Sequence, residues 1–302
     1  MKRKEMDMVG SPLIFGEVLF DRFDDEAVLG GAPFNVAWHL QGFGLEPLFV
    51  SRVGNDRLGE RVLERMTQWG METTGVQTDS GRPTGTVDVR IRDGEPRYDI
   101  LPEQAYDYID RTAVCRAVED RQVSLLYHGT LALRGAASCL SLETVRTCGG
   151  PVFVDVNLRD PWWSRHYVRY LLDMATWAKM NGDELLTLVE ENKDADVSDA
   201  AKGLRRKMGL DGLIVTMGGQ GAYLFLEEQT LFAKAAPVDT VVDTVGAGDG
   251  FSAVCILGLI RGWEPSLLLQ RAAAFASEIV EQRGATKADR AFYQKYRTRW
   301  TE

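Results

Sequence analysis

The sequence predicts an α/β protein built on a largely parallel sheet, and three observations carry that expectation. Short β-rich apolar runs alternate with longer stretches of helical periodicity along the chain. The chain has 302 residues, and at such a length folding buries roughly three quarters of the unfolded surface, enough for one large core or two unequal domains. One segment, 84–101, breaks the alternation with period-two patterning on both sides of Asp93-Gly94, a dipeptide suited to a hairpin turn.

Taken in order, the apolar runs at 13–20, 48–53, 123–128, 152–156 and 213–217 read as strands. Helical spacing follows most of them, at 35–43, 58–69, 136–147 and 200–208, and then at 251–261 and 266–281. A hairpin as early as 84–101 stands outside the main sheet or adds to its edge. With 20–28 and 73–77 it forms a small lid; the alternative is a plain edge hairpin. Val87, Val89 and Ile91 alternate with Thr86, Asp88 and Arg90, which predicts a polar face toward a ligand and an apolar face for a second subunit. The tail from Asp289, with mixed basic and aromatic residues, reads as a final surface helix. Open sheets bind ligands at the carboxyl ends of their strands, so the loops there are the place to look for chemistry.

Composition narrows the function classes. Lys and Arg number 35 against 44 Asp and Glu, a net charge of −9 that argues against a general nucleic-acid surface. Cys115, Cys139, Cys148 and Cys255 lie far apart without C-x-x-C spacing, so reduced, mostly buried thiols are expected rather than a zinc or redox site. His39, His128 and His166 lack metal-site spacing and read as structural. The basic start is followed by an apolar run that Gly16, Glu17 and Asp21 interrupt, which does not make a signal-peptide core, and no stretch approaches the ~18 apolar residues of a membrane span. The expectation is a cytoplasmic enzyme or binding protein, without membrane or nucleic-acid partners.

The chemistry concentrates in residues 243–251, DTVGAGDGF, ahead of an apolar run that reads as a buried helix. Small residues at Gly246, Ala247 and Gly248 leave backbone N–H groups uncovered at a helix N-terminus, a cradle for a phosphate. Asp249 is anomalous there, since a carboxylate repels an anion. It is either a base that takes a proton from an attacking hydroxyl or a helix cap. Asp155, Asn157 and Arg159 alternate off a strand end and fall on one side, unless that end is merely exposed. Thr216-Met-Gly-Gly-Gln-Gly221 is a tight turn after a strand, either a nucleotide loop or a simple glycine hairpin. No Walker A sequence and no protein-kinase signature set competes.

Residues 243–251 resemble the second signature of the ribokinase or PfkB family of carbohydrate kinases, in which the second Asp is the catalytic base and the glycine turn the anion hole. That likeness assigns Asp249 as base and Gly246, Ala247 and Gly248 as the anion hole. Other segments follow in the family's order. GGAPFN at 30–35 resembles the first signature, whose glycines and Asn contact sugar hydroxyls, here Gly30, Gly31 and Asn35. Asp21 stands where the family has a sugar-binding carboxylate, and VGNDRLG at 53–59 is similar to its V-G-x-D-x-x-G turn.

The resemblance further implies that Asp155 and Asn157 face the substrate and that Arg159 neutralises transferring charge. Asn181 and Glu184 match the N-x-x-E motif that orders magnesium through water, and Thr216, Gly218, Gly219 and Gly221 match the ATP loop. Asp243, Val245, Ile279, Gln282 and Gly284 fall where the family holds a monovalent cation such as potassium. Two positions depart from the pattern: Ala272 replaces a usual adenine-side Asn, and Phe34 is bulkier than usual.

A three-layer α/β/α ribokinase-like fold with a small β-sheet lid is therefore expected, as one domain over 1–302. Its implied activity is transfer of the ATP γ-phosphoryl group to a sugar, most like a bacterial fructokinase, with Mg2+ and K+ as cofactors, Asp88 and Arg90 on the sugar, and a homodimer formed through the lid. The alternatives are a 2-keto-3-deoxygluconate kinase with Arg90 or Arg97 on the substrate carboxylate, another sugar or nucleoside kinase, and a catalytically silent sugar-binding protein.

Overall fold

The computed structural model describes residues 10–23, 26–92, 95–189 and 196–300, with the backbone alone for 90–92 and 95–98. The elements begin β1 (Ser11–Phe15), β2 (Leu19–Arg22), β3 (Ala27–Gly30), α1 (Ala32–Phe43), β4 (Leu48–Gly54), α2 (Arg57–Trp69), β5 (Val76–Asp79), β6 (Gly85–Arg92) and β7 (Glu95–Ile100). They continue with α3 (Arg111–Val118), β8 (Val123–His128), α4 (Ala136–Arg146), β9 (Val152–Asp155), α5 (Arg165–Asp173), β10 (Trp177–Asn181), α6 (Gly182–Val189) and α7 (Val197–Met208). The last are β11 (Gly212–Thr216), β12 (Gly221–Phe225), β13 (Thr230–Lys234), α8 (Ala247–Ile260), α9 (Pro265–Ile279) and α10 (Arg290–Arg299).

Among the described residues nine strands form the main sheet, ordered β13-β12-β11-β10-β9-β8-β1-β4-β5, parallel from β11 to β5 and antiparallel at β12 and β13. Alternate strand residues feed opposite cores. Ile14 and Phe49 pack with α1, α2, α8, α9 and α10 on one face, while Leu13, Phe15 and Val50 pack with α3 to α7 on the other. This is the expected three-layer arrangement. The chain leaves β1 toward β4 on one side and returns to β8 on the other, so the crevice beside the carboxyl end of β1 is the topological switch point.

The first predicted strand, 13–20, divides in two. Gly16 has φ 150, and the chain passes there from β1 of the main sheet into β2 of a separate sheet ordered β3-β2-β6-β7. Segments 20–28 and 84–101 thus supply the lid as expected, with Asp93-Gly94 outside the described residues. Segment 73–77 does not. β5 pairs in parallel with β4, Ser51 opposite Val76, and extends the main sheet.

The lid lies the other way up from the sequence expectation. Val87 and Val89 are buried at 4% and 7% exposure, and Val87 packs with Leu19, Ile100, Tyr106 and Leu131. Asp88 lies on the other face, where Arg22 Nε donates to it at 2.8 Å. The apolar face closes on the body of its own chain, which removes the argument for a dimer through Val89. The sugar contact expected of Asp88 goes with it, and the Arg90 side chain lies outside the described residues. The V-G-x-D-x-x-G turn anchors the lid: Asp56 caps α2 through the Gly59 N–H at 2.8 Å, and also accepts from the Thr84 N–H and hydroxyl at the entry to β6.

The tail helix α10 lies at the surface as expected, but one aromatic face of it is buried. Phe292, Tyr293, Tyr296 and Trp300 are buried against Phe43 and Phe275, each worth on the order of 1.5–3 kcal/mol of burial. His39 lies within 2.9 Å of Tyr293 Oη and 3.0 Å of the Ala285 carbonyl, and burial lowers its pKa to about 4; buried His128 behaves alike, and His166 is exposed. Of the four thiols, Cys255 is buried and Cys115 exposed. Among the described residues no helix is long and apolar enough to cross a membrane.

Candidate active site

Strand carboxyl ends and helix N-termini converge on a cavity of about 410 Å3 at the switch point. Its wall contains Asp21, Gly31, Asn35, Asp155, Asn157, Arg159, Asn181, Glu184, Thr216, Val245, Gly246, Gly248 and Asp249, thirteen of the residues singled out from sequence. Val87 and Ile100 of the lid complete it. A second cavity of about 630 Å3 adjoins it and shares Thr216, Thr244 and Gly248. Gly218, Gly219, Gly221 and Ala247 line this one, opposite the apolar wall of Phe251, Ala273, Ala276 and Val280. Ala272 and Phe34 are both fully or almost fully buried in the core and line neither cavity, so neither departure alters a wall. Gly30 ends β3 and is also off the wall; a Cβ there would meet Asp21 Oδ2 at 3.5 Å.

The glycine turn is built for close approach. Gly246 has φ 81, and a Cβ there would stand 2.2 Å from that of Ala285. It occupies the N-cap of α8 without any side-chain cap; Ala247 donates to the Thr244 carbonyl at 3.4 Å, and the Gly248 N–H remains open beside the cavities. Asp249 is therefore not the cap. It sits in the first turn, and its Oδ2 accepts from Asn35 Nδ2 at 2.8 Å. Burial raises its pKa to about 6, with the Asn35 hydrogen bond pulling the other way. Burial likewise raises Asp21 to about 6, with the Arg159 charge opposing it.

Asp155 ends β9. Val156 still bonds to the Lys179 carbonyl, but Asn157 turns with φ 32, so strand alternation stops before Arg159 although all three line the cavity. The Arg159 carbonyl accepts from Trp162 at 2.7 Å, but its side chain makes no hydrogen bond or ion pair with the described residues, which leaves the guanidinium available to a ligand. Asp155 does not have that freedom. Lys179 Nζ donates to both its oxygens at 2.9 and 2.8 Å, and Ser252 Oγ donates at 2.7 Å while also bonding the Gly248 carbonyl at 3.0 Å. This buried pair supports the anion cradle from below. Sequence reasoning missed both Lys179 and Ser252. Period-two spacing from Asn181 was the signal for Lys179, obscured by a lysine in the middle of a strand.

Asn181 and Glu184 form a reciprocal capping box on α6, each accepting the other's backbone N–H at 2.8 Å, and Glu184 Oε1 also accepts from Leu158 at 2.9 Å. Burial raises the pKa of Glu184. Each carboxylate oxygen keeps a second lone pair, which fits a water-mediated magnesium contact. Asp243 joins two loops, accepting from Val245 at 3.0 Å and Gly284 at 3.1 Å. Of the residues expected with it at a monovalent cation, Val245 lines the first cavity, while Ile279, Gln282 and Gly284 line neither cavity.

The pfkB family carbohydrate kinase profile matches residues 4–291. The chain belongs to this family of carbohydrate kinases. Its relatives include the 2-dehydro-3-deoxygluconokinase of Bacillus subtilis (strain 168), 26% identical over 276 residues that cover 85% of this chain and 82% of that one. The fructokinase of Klebsiella pneumoniae is 28% identical over 272 residues, covering 83% and 85%. In fold the chain is similar to a fructokinase double mutant from Vibrio cholerae O395, solved with fructose, ADP and a potassium ion: TM-score 0.80, 20% identity, coverage 96% and 99%.

Proposed function

We propose that this kinase transfers the γ-phosphoryl group of ATP to a hydroxyl of fructose. The observation that carries the reading is Asp249 on the wall of one cavity beside Gly248, which belongs to both. A hydroxyl held in the first cavity gives its proton to Asp249, and its oxygen attacks a phosphoryl group entering from the second. The open N–H groups at Gly246 and Gly248 and the Arg159 guanidinium stabilise the charge that passes between them. Asp21, Asn35 and Asn157 orient the sugar. The apolar wall of the second cavity suits a base, and its glycine loop at Gly218–Gly221 lets phosphates approach the backbone. Magnesium, held through water at Glu184, would neutralise the phosphates.

A 2-keto-3-deoxygluconate kinase is the second reading, favoured by the unpaired Arg159, which is free to meet a substrate carboxylate. ADP release over a panel of sugars, nucleosides and 2-keto-3-deoxygluconate tests both. Fructose should give the highest kcat/KM; turnover confined to the sugar acid would replace the acceptor, and binding without turnover would mark a silent sugar-binding protein.

A potassium dependence follows from the Asp243 bridge, because a cation there would order the turn that shapes the anion hole. Rates should fall when potassium is exchanged for a bulky organic cation at matched ionic strength. Equal rates would discard the site.

The orientation of the lid makes a further distinction. Val87→Ala should raise the fructose KM by about the two- to tenfold worth of a partly lost apolar contact and leave the ATP KM alone. Asp88→Ala breaks a partly exposed ion pair and should change neither KM by more than about twofold. The reverse pattern in steady-state kinetics would return the sugar contact to Asp88.

A further inference from the structure

Glu17 follows the glycine bend between β1 of the main sheet and β2 of the lid, at the carboxyl end of a central strand. It is 3% exposed and lines the first cavity. The other buried acids there have partners: Asp155 has Lys179 and Ser252, Asp249 has Asn35, and the Glu184 carboxylate has the backbone N–H groups of Leu158 and Asn181. Glu17 has the backbone N–H groups of residues 17 and 132 near one side of its carboxyl, while Oε2 has no hydrogen-bond partner and no Lys or Arg forms an ion pair with it among the described residues. A buried polar atom in this state is costly unless a ligand completes it. Only one other orphaned side-chain atom belongs to a described residue of this wall, Asn35 Oδ1. Two unpaired acceptors on the sugar side match a molecule that brings several hydroxyl donors.

We infer that Glu17 is a substrate-contacting residue that hydrogen-bonds a hydroxyl of an uncharged, polyhydroxylated substrate. This rests on the kinase reading above and deepens it. Charge supports the substrate class, because a substrate carboxylate placed beside Glu17 and Asp21 would face two acids with the Arg159 guanidinium as the one unpaired cation of the described wall to offset them. Burial raises the Glu17 pKa to about 7, so its carboxyl is able to donate as well as accept near neutral pH. The ionisable groups facing it are Asp249 of α8, Arg159 after β9, Tyr127 of β8 and Tyr106.

Steady-state kinetics of Glu17→Met and Glu17→Gln on the sugar that the wild type phosphorylates test the inference. The Met variant keeps the bulk without the polar atoms and should raise the sugar KM about tenfold or more with the ATP KM within about twofold. The Gln variant keeps a donor and an acceptor and should recover to within about threefold of wild type. A wild-type sugar KM in the Met variant, or an equal rise in both KM values, overturns the assignment. Should the Met variant not fold, the pH profile decides: the sugar KM of the wild type should change across about pH 7 in a way the Gln variant does not, and superimposable profiles overturn it. Absence of any turnover by the wild type would instead sink the kinase reading, and a wild type that accepts only sugar acids would overturn the uncharged-substrate assignment.

Discussion

Asp249→Asn is expected to lower kcat by roughly 10²–10⁴, the usual worth of a positioned general base, with the ATP KM nearly unchanged. The side chain keeps its shape and its neighbour Asn35, so the loss would fall on proton transfer rather than on binding. A carboxylate next to open helix N–H groups weakens anion binding in the ground state, and selection for such a residue makes sense only if it acts in the transition state. The pH profile gives the sign. Asp249 has its pKa raised to about 6 by burial, so the working ionised form is lost as pH falls through that value, and kcat should drop about tenfold per pH unit below it. The same burial means the folded state binds the proton more tightly than the unfolded chain, whose pKa is near the ordinary 3.8. Stability from this group is therefore present below the ordinary value and lost as pH rises through about 6, and the neutral Asn should melt no lower than wild type at alkaline pH. A variant that kept most of its turnover would leave Asp249 a structural partner of Asn35.

Much of the site was legible because catalytic loops leave glycines, acids and their neighbours in fixed order, and thirteen of the positions singled out meet in one cavity. What was obscured has physical causes. Alternation along β6 reveals that two faces exist but not which one turns inward; that is decided by Leu19, Ile100, Tyr106 and Leu131, distant in sequence. Val76–Asp79 is too short and too polar to announce its sheet, and only its hydrogen bonds to β4 do so. In α10, basic residues masked a helical stripe of Phe292, Tyr293, Tyr296 and Trp300. Glu17 sat inside a motif whose visible member was Asp21, and nothing in a sequence marks a carboxyl as lacking a partner. Lys179 was hidden because a buried lysine makes its strand look exposed.

Lys179→Met is expected to be the most destabilising single change in the site. The Lys179 side chain is 8% exposed and that of Asp155 3%, and their bonds of 2.9 and 2.8 Å satisfy both carboxylate oxygens. Burial pulls the lysine pKa down, but the Asp155 charge and hydrogen bonds outweigh it and the net movement is upward, so the pair is held as ions. Removing one partner leaves an uncompensated buried charge, which costs about 3–5 kcal/mol, against a net stability of about 5–15 kcal/mol for a typical domain. Calorimetry should register a Tm lower by on the order of 10 °C. The double variant Lys179→Met with Asp155→Leu should recover much of that loss, because replacing both members of a buried pair with apolar groups is often neutral. Its activity should not recover with it, since Ser252 would lose the carboxylate that holds it beneath the Gly248 carbonyl, and the anion cradle would lose its support. A single variant that melted within about 2 °C of wild type would refute the pair as a structural element.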